Sequence, residues 1–209
     1  PYTTLFRSAA RVQLDFADIA GGSCGALLPT GSAVDRIDGI AVTMVDNGMP
    51  VVVMSATDLG ITGAETPDKL DSNDALRARL ESIRLQAGQL MGLGDVTETT
   101  VPKLTMVSPP TGSGDLSTRT FIPHRCHEAI GVLGAVSVAT AALLPGSPVA
   151  DVIRTGAGLD GIIVCEHPTG SFTATLDIDT SANPPIARRA GIIRTARKLM
   201  DGVVFPASP

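Results

Sequence analysis

Hydrophobic positions along this chain follow two kinds of spacing, and together they predict an α+β fold. Ile40–Asp46 and Val51–Ser55 are rich in β-branched residues and have apolar side chains on both faces, which predicts strands buried on both sides. Phe172–Asp179 alternates apolar and polar residues, which predicts a strand with one face in solvent. Shorter apolar runs predict further strands at 12–16, 103–107, 116–122, 159–166 and 186–193.

Apolar residues at helical spacing predict a one-sided surface helix over Asp74–Met91. Ser72 or Asn73 is expected to cap its start, and the glycines that follow Met91 are expected to end it. The apolar face is Leu76, Leu80, Ile83, Ala87 and Leu90, and the residues expected to point outward are Arg77, Glu81 and Arg84.

A second helix is predicted over Ala129–Leu144, where no residue is charged and the hydroxyls of Ser137 and Thr140 are the only polar side-chain groups. A helix that is apolar all round must be buried on every side. The run is shorter than the roughly 20 residues that a membrane span needs. The sequence therefore predicts a curled, mostly antiparallel sheet wrapped around a buried central helix.

Composition narrows the function classes. The chain has 209 residues, a net charge of −5 and only 3% aromatic residues, which argues against a nucleic-acid partner. No signal peptide or membrane-spanning segment is visible, so no membrane partner is expected. Three scattered cysteines are too few for a disulfide framework, which favours a reducing, cytoplasmic location.

The start of the central helix is the first candidate site. His124, Arg125, Cys126 and His127 precede the helix, and a helix N-terminus carries a partial positive charge that favours a carboxylate. These residue types next to free backbone N–H groups predict anion binding. The alternative is that the two histidines only cap the helix.

Two loops are further candidates. Gly21–Gly25 combines glycines, which permit close backbone approach, with Ser23 and Cys24 as hydrogen-bond donors. Asp46–Pro50 places Asn47 and Gly48 between two buried strands. Either loop can equally be a structural turn, since Asn-Gly is a common turn sequence.

Metal binding and nucleophilic catalysis are weaker alternatives. The available zinc ligands are His124, Cys126, His127, Cys165 and His167, but their spacing matches no usual zinc motif. No metal or other cofactor is therefore expected. Cys126 with His127 forms a possible nucleophile pair, but no third residue is available to orient it.

These segments together resemble the PrpF-like isomerase family, which has the diaminopimelate-epimerase-like fold. The resemblance runs from Ala9 to Pro206 and is strongest to the family's 4-oxalomesaconate tautomerases. The motifs that carry it are SCGALLPTG at 23–31, VDNGMPVVV at 45–53, GLGDV at 92–96, VPK at 101–103, FIPHRCHEAIGVLGAVSVATA at 121–141 and RTARKLMDGVV at 194–204.

The resemblance implies a two-domain enzyme with its active site in the cleft between the domains. Helix N-termini face that cleft and bind substrate carboxylates. The implied reaction is a cofactor-free keto–enol proton transfer on 4-oxalomesaconate in gallate or protocatechuate breakdown. The implied substrate-binding residues are His127, Gly131, Gly134, Asn47 and Gly48, with Arg125, Ser23 and Cys24 as helpers.

The resemblance also implies domain boundaries. Residues 9–193 match the second domain, and residues 194–209 are expected to form a tail that contacts a first domain. The family's proton-transferring Lys and Cys belong to that first domain, so the catalytic residues are unknown here and the chain alone is expected to be inactive. Pro1–Ser8 matches the translation of a common sequencing adapter and is interpreted as an artefact.

Two alternatives remain open at this point. The chain can belong to a methylaconitate or aconitate isomerase, whose substrate is a related polycarboxylate. It can instead be a non-catalytic tricarboxylate-binding domain. The partners expected for the chain are the small polycarboxylate, the first domain of the same protein and a second copy of the chain.

Overall fold

The computed structural model describes residues 10–203 and Phe205, and its strands form one nine-stranded sheet. The strands are β1 (Ala10–Phe16), β2 (Asp35–Ile37), β3 (Ile40–Asp46), β4 (Pro50–Ser55), β5 (Lys103–Ser108), β6 (Leu116–Phe121), β7 (Ile162–His167), β8 (Gly170–Asp179) and β9 (Ile186–Ala196). Across the sheet the order is β1–β9–β8–β7–β6–β5–β4–β3–β2, and among these described strands only β4 with β5 and β6 with β7 pair in parallel. A mostly antiparallel sheet in an α+β fold is therefore confirmed. Pro1–Ser8 lie outside the described residues.

Three α-helices accompany the sheet within the described residues, namely α1 (Pro67–Asp71), α2 (Asp74–Leu90) and α3 (Val132–Leu143). Alternate residues of β3 and β4 face two different cores. Val45 and Val51 pack in the core that contains α3, whereas Met44 and Val52 pack in the core that contains α2. The prediction that both faces of these strands are buried is confirmed.

Helix α3 is buried along most of its length and contacts β3, β4, β7, β8 and β9. It begins at Val132, so the prediction of a helix from Ala129 is wrong. The preceding segment is held away from helical geometry because the His127 N–H donates to the Thr120 carbonyl at 2.8 Å. Thr169 holds the next residue through two hydrogen bonds to the Glu128 carbonyl, from its N–H at 3.1 Å and its hydroxyl at 2.7 Å.

Helix α2 begins as predicted, because the Asn73 side chain accepts a hydrogen bond from the Leu76 N–H at 3.0 Å. The prediction that Arg84 points outward is wrong, since Arg84 is fully buried. Its guanidinium donates to the carbonyls of Val96, Thr99 and Val101 and pairs with Glu81 at 2.7 Å. Leu90 was assigned to the apolar face but is 51% exposed.

The predicted hairpin of β7 and β8 is confirmed, although β7 begins at Ile162 rather than at Leu159. Strand β7 begins later than predicted because the preceding chain turns. Gly156, Gly158 and Gly161 all adopt positive φ angles, which form turns rather than extended chain. Strand β2, helix α1 and a short 3₁₀ turn at Thr57–Leu59 were not predicted.

Strand β9 continues to Ala196 and pairs with β1, so residues 194–196 belong to the sheet rather than to the predicted tail. From Arg197 to Val203 the chain has no helix or strand. Four apolar side chains between Leu199 and Phe205 are 79–85% exposed. They are Leu199, Met200, Val203 and Phe205. In the part of the chain that the structure describes, no helix is long and apolar enough to cross a membrane.

Candidate functional site

The turn between β3 and β4 is attached to helix α3 by the two hydroxyl groups of that helix. Asn47 is fully buried; its backbone N–H donates to Ser137 Oγ at 3.1 Å and its side-chain Nδ2 donates to Thr140 Oγ1 at 2.9 Å. Ser137 Oγ in turn donates to the Met49 carbonyl at 2.7 Å. The sequence motif Asn47-Gly48 thus occupies a fixed position beside the helix.

Gly48 brings this turn against the first turn of α3. Its φ of +86° is a conformation that favours glycine. A Cβ at this position would lie 3.1 Å from Ile19 Cδ1 and 3.2 Å from Leu133 Cδ2. The backbone of the turn therefore approaches the helix start more closely than any larger residue allows.

The Gly21–Gly25 loop folds around the carboxylate of Asp46. The N–H groups of Ser23 and Cys24 both donate to Asp46 Oδ2 at 2.8 Å, and the Gly21 N–H donates to the Asp46 carbonyl at 2.7 Å. The backbone N–H groups of the predicted donors Ser23 and Cys24 are therefore already hydrogen-bonded to this buried aspartate. The importance of Asp46 was missed, because its partners lie more than 20 residues earlier in the chain.

The Cys24 thiol is not suited to act as a base at neutral pH. Burial raises its pKa to about 12, with a further contribution from the negative charge of Asp46 and from a hydrogen bond to that carboxylate. Its role is therefore that of a neutral group beside the turn at Asp46-Asn47-Gly48, which we call the DNG turn.

The N-terminus of α3 is open. Gly131 is the N-cap residue, no side chain caps the helix, and the first turn contains no acidic residue. Gly131 and Val132 are exposed, whereas Gly134 is buried in the first turn. The uncapped N–H groups make this end electropositive, and it lies next to Gly48.

Arg125 and His124 do not lie at the start of α3; they lie beside α1 and α2. The segment after β6 makes a tight turn in which the Ile122 N–H donates to the Arg125 carbonyl at 3.0 Å. Nδ1 of His124 lies 3.5 Å from Glu81 Oε2 on α2, and Arg125 lines a hollow of about 430 Å³ with Asp71 of α1. The prediction that this motif opens the helix is wrong. The exposed His127 lies four residues before Gly131.

Cys126 is not an activated nucleophile. It is buried, its N–H donates to Asp71 Oδ1 at 2.7 Å, and burial raises the pKa of its thiol to about 11. Cys165 is fully buried in the α3 core, where burial raises its pKa to about 12. Among the residues that the structure describes, no three His, Cys, Asp or Glu side chains are grouped to hold one metal ion.

Comparison with known proteins identifies the family to which the chain belongs. A family model described as "PrpF protein" matches residues 4–206. The chain belongs to the PrpF family. A crystal structure of a methylitaconate-delta-isomerase is similar in fold, with a TM-score of 0.82 and 30% sequence identity over 93% of this chain and 55% of that one.

Two characterised relatives are more similar in sequence. The chain is 55% identical to a (4E)-oxalomesaconate Delta-isomerase of Novosphingobium sp. (strain KA1), over 94% of this chain and 54% of that protein. It is 50% identical to a 4-oxalomesaconate tautomerase of Pseudomonas putida, over 94% of this chain and 53% of that protein. The chain therefore spans about half the length of the curated relatives that it matches.

Proposed function

We propose that this chain forms the carboxylate-binding part of an isomerase acting on 4-oxalomesaconate. The sequence comparison supports this substrate, because identity to proteins named for it is 50–55%, against 30% to the methylitaconate isomerase. The structural observation that carries the proposal is the open N-terminus of α3, held against the Asn47-Gly48 turn.

The proposed reaction is a cofactor-free keto–enol tautomerisation, in the breakdown of gallate or protocatechuate that the resemblance implies. A proton leaves the carbon next to the ketone, the electron pair moves onto the ketone oxygen, and a proton is placed on that oxygen. Migration of a carbon–carbon double bond begins with the same removal of a proton from carbon. Both reactions build negative charge on a substrate that already carries carboxylates, and fixed N–H donors stabilise such charge.

Within this scheme the first-turn N–H groups that follow Gly131, including that of Gly134, receive a substrate carboxylate. Asn47 and Gly48 set the position of the neighbouring wall, and Ser23 and Cys24 support that wall through Asp46. His127 is exposed four residues before Gly131 and forms no salt bridge among the described residues, and we assign it to a second carboxylate. The position of Arg125 beside α1 gives it no direct part in this wall.

We infer that the acid and base that move the proton belong to the remainder of the protein. Burial raises the pKa of all three thiols, which disfavours the thiolate form that a base requires and so supports this inference for the base. The same scheme makes residues 9–193 one half of a diaminopimelate-epimerase-like protein. Contacts of α3 with β3 and β4 on one side and with β7, β8 and β9 on the other support that fold.

The proposal is tested in a chimera that carries this chain in place of the 196 matched residues of the Pseudomonas putida relative. The key variant is Gly131→Asp, with Gly131→Asn as its isosteric neutral control. A Cβ at residue 131 meets no atom within 4 Å, so both side chains fit. Both are good N-caps and should maintain or raise stability.

We expect Gly131→Asp to raise KM for 4-oxalomesaconate at least about 10-fold over Gly131→Asn, since a fixed carboxylate would occupy the substrate's position. Equal kinetics in the two variants would remove the anion-binding role from this helix end. Faster turnover of 2-methylaconitate than of 4-oxalomesaconate by the parent chimera would instead assign the chain to the methylaconitate isomerases. Saturable binding with no turnover of either substrate would favour a binding domain.

A further inference from the structure

A second hollow, of about 1130 Å³, lies away from the DNG turn. Its walls come from the 111–113 loop, strand β6, the turn between β7 and β8, and the end of β9. We call it the β6–β9 hollow. Its size is slightly above the roughly 300–1,000 Å³ that is typical of small-molecule sites. None of its residues is among the substrate-binding residues that the family resemblance implies.

Three cationic or protonatable side chains line the β6–β9 hollow, and none of them pairs with a carboxylate among the described residues. They are Arg119, His167 and Arg194. Arg119 donates from Nε to the Glu65 carbonyl at 2.8 Å and from Nη1 to the Thr118 carbonyl at 2.9 Å. Neutral carbonyls thus hold this guanidinium in place without cancelling its charge.

Arg194 is positioned in a similar way. Its guanidinium carbon lies 4.0 Å from the centroid of the Phe172 ring, an arrangement that orients the cation without neutralising it. The chain as a whole has a net charge of −5, so a local group of unpaired cations is not a consequence of general basicity. Unpaired cations facing one hollow predict an anionic occupant.

Glu166 is the one acidic residue that lines the hollow, and its carboxylate is already hydrogen-bonded to the neighbouring loop. Glu166 accepts hydrogen bonds from the N–H groups of Thr111, Gly112 and Gly114, at 2.8–2.9 Å. It also accepts from the hydroxyls of Thr111 and Ser117. These bonds hold the pKa of Glu166 down at about 2, against the opposing effect of burial. Glu166 therefore fixes the 111–114 loop. It forms no ion pair with Arg119 or Arg194, and its single negative charge offsets only part of the two positive charges that line the hollow.

His167 completes the set. Burial lowers the pKa of this imidazole, and the positive charges of Arg194 and Arg119 lower it further, while a hydrogen bond involving the Glu128 backbone opposes the shift. Thr169 Oγ1 lies 3.3 Å from His167 Nδ1 and donates to the Glu128 carbonyl at 2.7 Å. The hollow is thereby joined to the segment that leads into α3.

We propose that the β6–β9 hollow binds carboxylate groups of a small polycarboxylate through Arg119 and Arg194, with His167 between them. This inference rests on the proposed function for the class of ligand and adds a second place where that class binds. The same chemistry can be supplied by an Asp or Glu from the rest of a longer protein. The experiment below distinguishes the two sources.

The probe is propane-1,2,3-tricarboxylate, titrated into the 209-residue chain by calorimetry with butyrate as the monocarboxylate control. We expect saturable binding of the tricarboxylate. Arg119→Gln and Arg194→Gln should each weaken it about 10-fold or more, as for loss of a charged hydrogen bond. Arg119→Lys should recover part of the loss. The matched control is Arg189→Gln, on the same strand as Arg194 but exposed and outside the hollow, which should change affinity less than about 2-fold.

Thermal unfolding of each variant shows whether it is folded. If the chain does not bind the tricarboxylate, or if both glutamine variants bind like Arg189→Gln, the inference is wrong. In the parent chimera, we expect the probe to bind with an affinity similar to that of the chain, and Arg119→Gln and Arg194→Gln to weaken binding there as well. If the chain binds the probe but the parent chimera does not, a carboxylate of the longer protein fills the hollow and the small-ligand assignment is overturned. An inactive parent chimera would count against the proposed function, while the calorimetric result for the hollow would still stand.

Discussion

Asn47 Nδ2 donates to Thr140 Oγ1 at 2.9 Å, which joins the turn between β3 and β4 to the middle of helix α3. Both residues are fully buried. Thr140 also donates to the Val136 carbonyl at 2.8 Å, so its hydroxyl satisfies the helix and the turn together. This single contact explains why an otherwise apolar helix contains a threonine at this position.

Replacement of Thr140 by Val should destabilise the fold. Valine keeps the shape but leaves the buried Asn47 amide without this acceptor, at an expected cost of about 1–3 kcal/mol in the free energy of unfolding. Thr140→Ser keeps the hydroxyl and is the control. Urea unfolding measures both. Equal midpoints for the Val and Ser variants would show that the hydrogen bond does not stabilise the turn.

Gly48→Ala should be more destabilising than an alanine at another glycine of similar backbone geometry. Gly31 has a φ of +78° and open space around its Cβ position, so Gly31→Ala measures the backbone strain alone, about 1–2 kcal/mol. Gly48 has a similar φ of +86° and adds close contacts with Ile19 and Leu133. In chemical denaturation, Gly48→Ala should therefore have a lower midpoint than Gly31→Ala. A lower midpoint for Gly31→Ala would mean that the Ile19 and Leu133 side chains move aside without loss of stability.

The buried strands and the buried helix could be predicted because the signal is local. In β4 every residue from Val51 to Met54 is apolar, and a strand that is apolar on both faces requires a core on each side. Arg84 could not be predicted to lie inside, because its backbone acceptors belong to the loop at 96–101, which follows the helix. A charged residue on a helix is buried only when such distant acceptors meet it.

The candidate site, like the fold, could be predicted only where its contacts are local in the sequence. Asn47-Gly48 was recognisable as a turn, and the turn is present between two buried strands. The start of α3 was placed too early, since the hydrogen bond from Thr169 to Glu128 spans 41 residues. Arg119 and Arg194 belong to β6 and β9, with β7 and β8 between them in the sheet, and no spacing rule relates them. Tertiary folding alone brings those side chains to one hollow.

Glu166 should make stability depend on acid pH. Its folded-state pKa of about 2 is below its ordinary value of 4.5, so its contribution is complete above about pH 4.5 and is lost as the pH falls toward 2. Glu166→Gln should therefore flatten the loss of stability between these limits. Asp179 has a similarly lowered pKa of about 2, so Asp179→Asn shows how much slope a carboxylate outside this loop removes. Urea midpoints across this range make the measurement, and an unchanged slope in Glu166→Gln would contradict the assigned role of the loop contacts.

His167 should report occupation of the β6–β9 hollow. In the free chain its pKa is below 6.5, because burial and the nearby charges of Arg119 and Arg194 disfavour the imidazolium. A bound carboxylate adds negative charge beside the ring and favours the protonated form, so propane-1,2,3-tricarboxylate should raise the pKa of His167. Proton NMR titration of the three histidines measures this change, with His167→Gln assigning the signal.

His124 provides an internal control for that titration, because it lies beside Glu81 of α2 and outside the hollow. The ring-proton signals of His124 should not move when the tricarboxylate is added at constant pH. In Arg119→Gln the free-state pKa of His167 should rise, since one of the two opposing cations is removed. A ligand that binds without moving the His167 signal would place the carboxylate elsewhere on the chain.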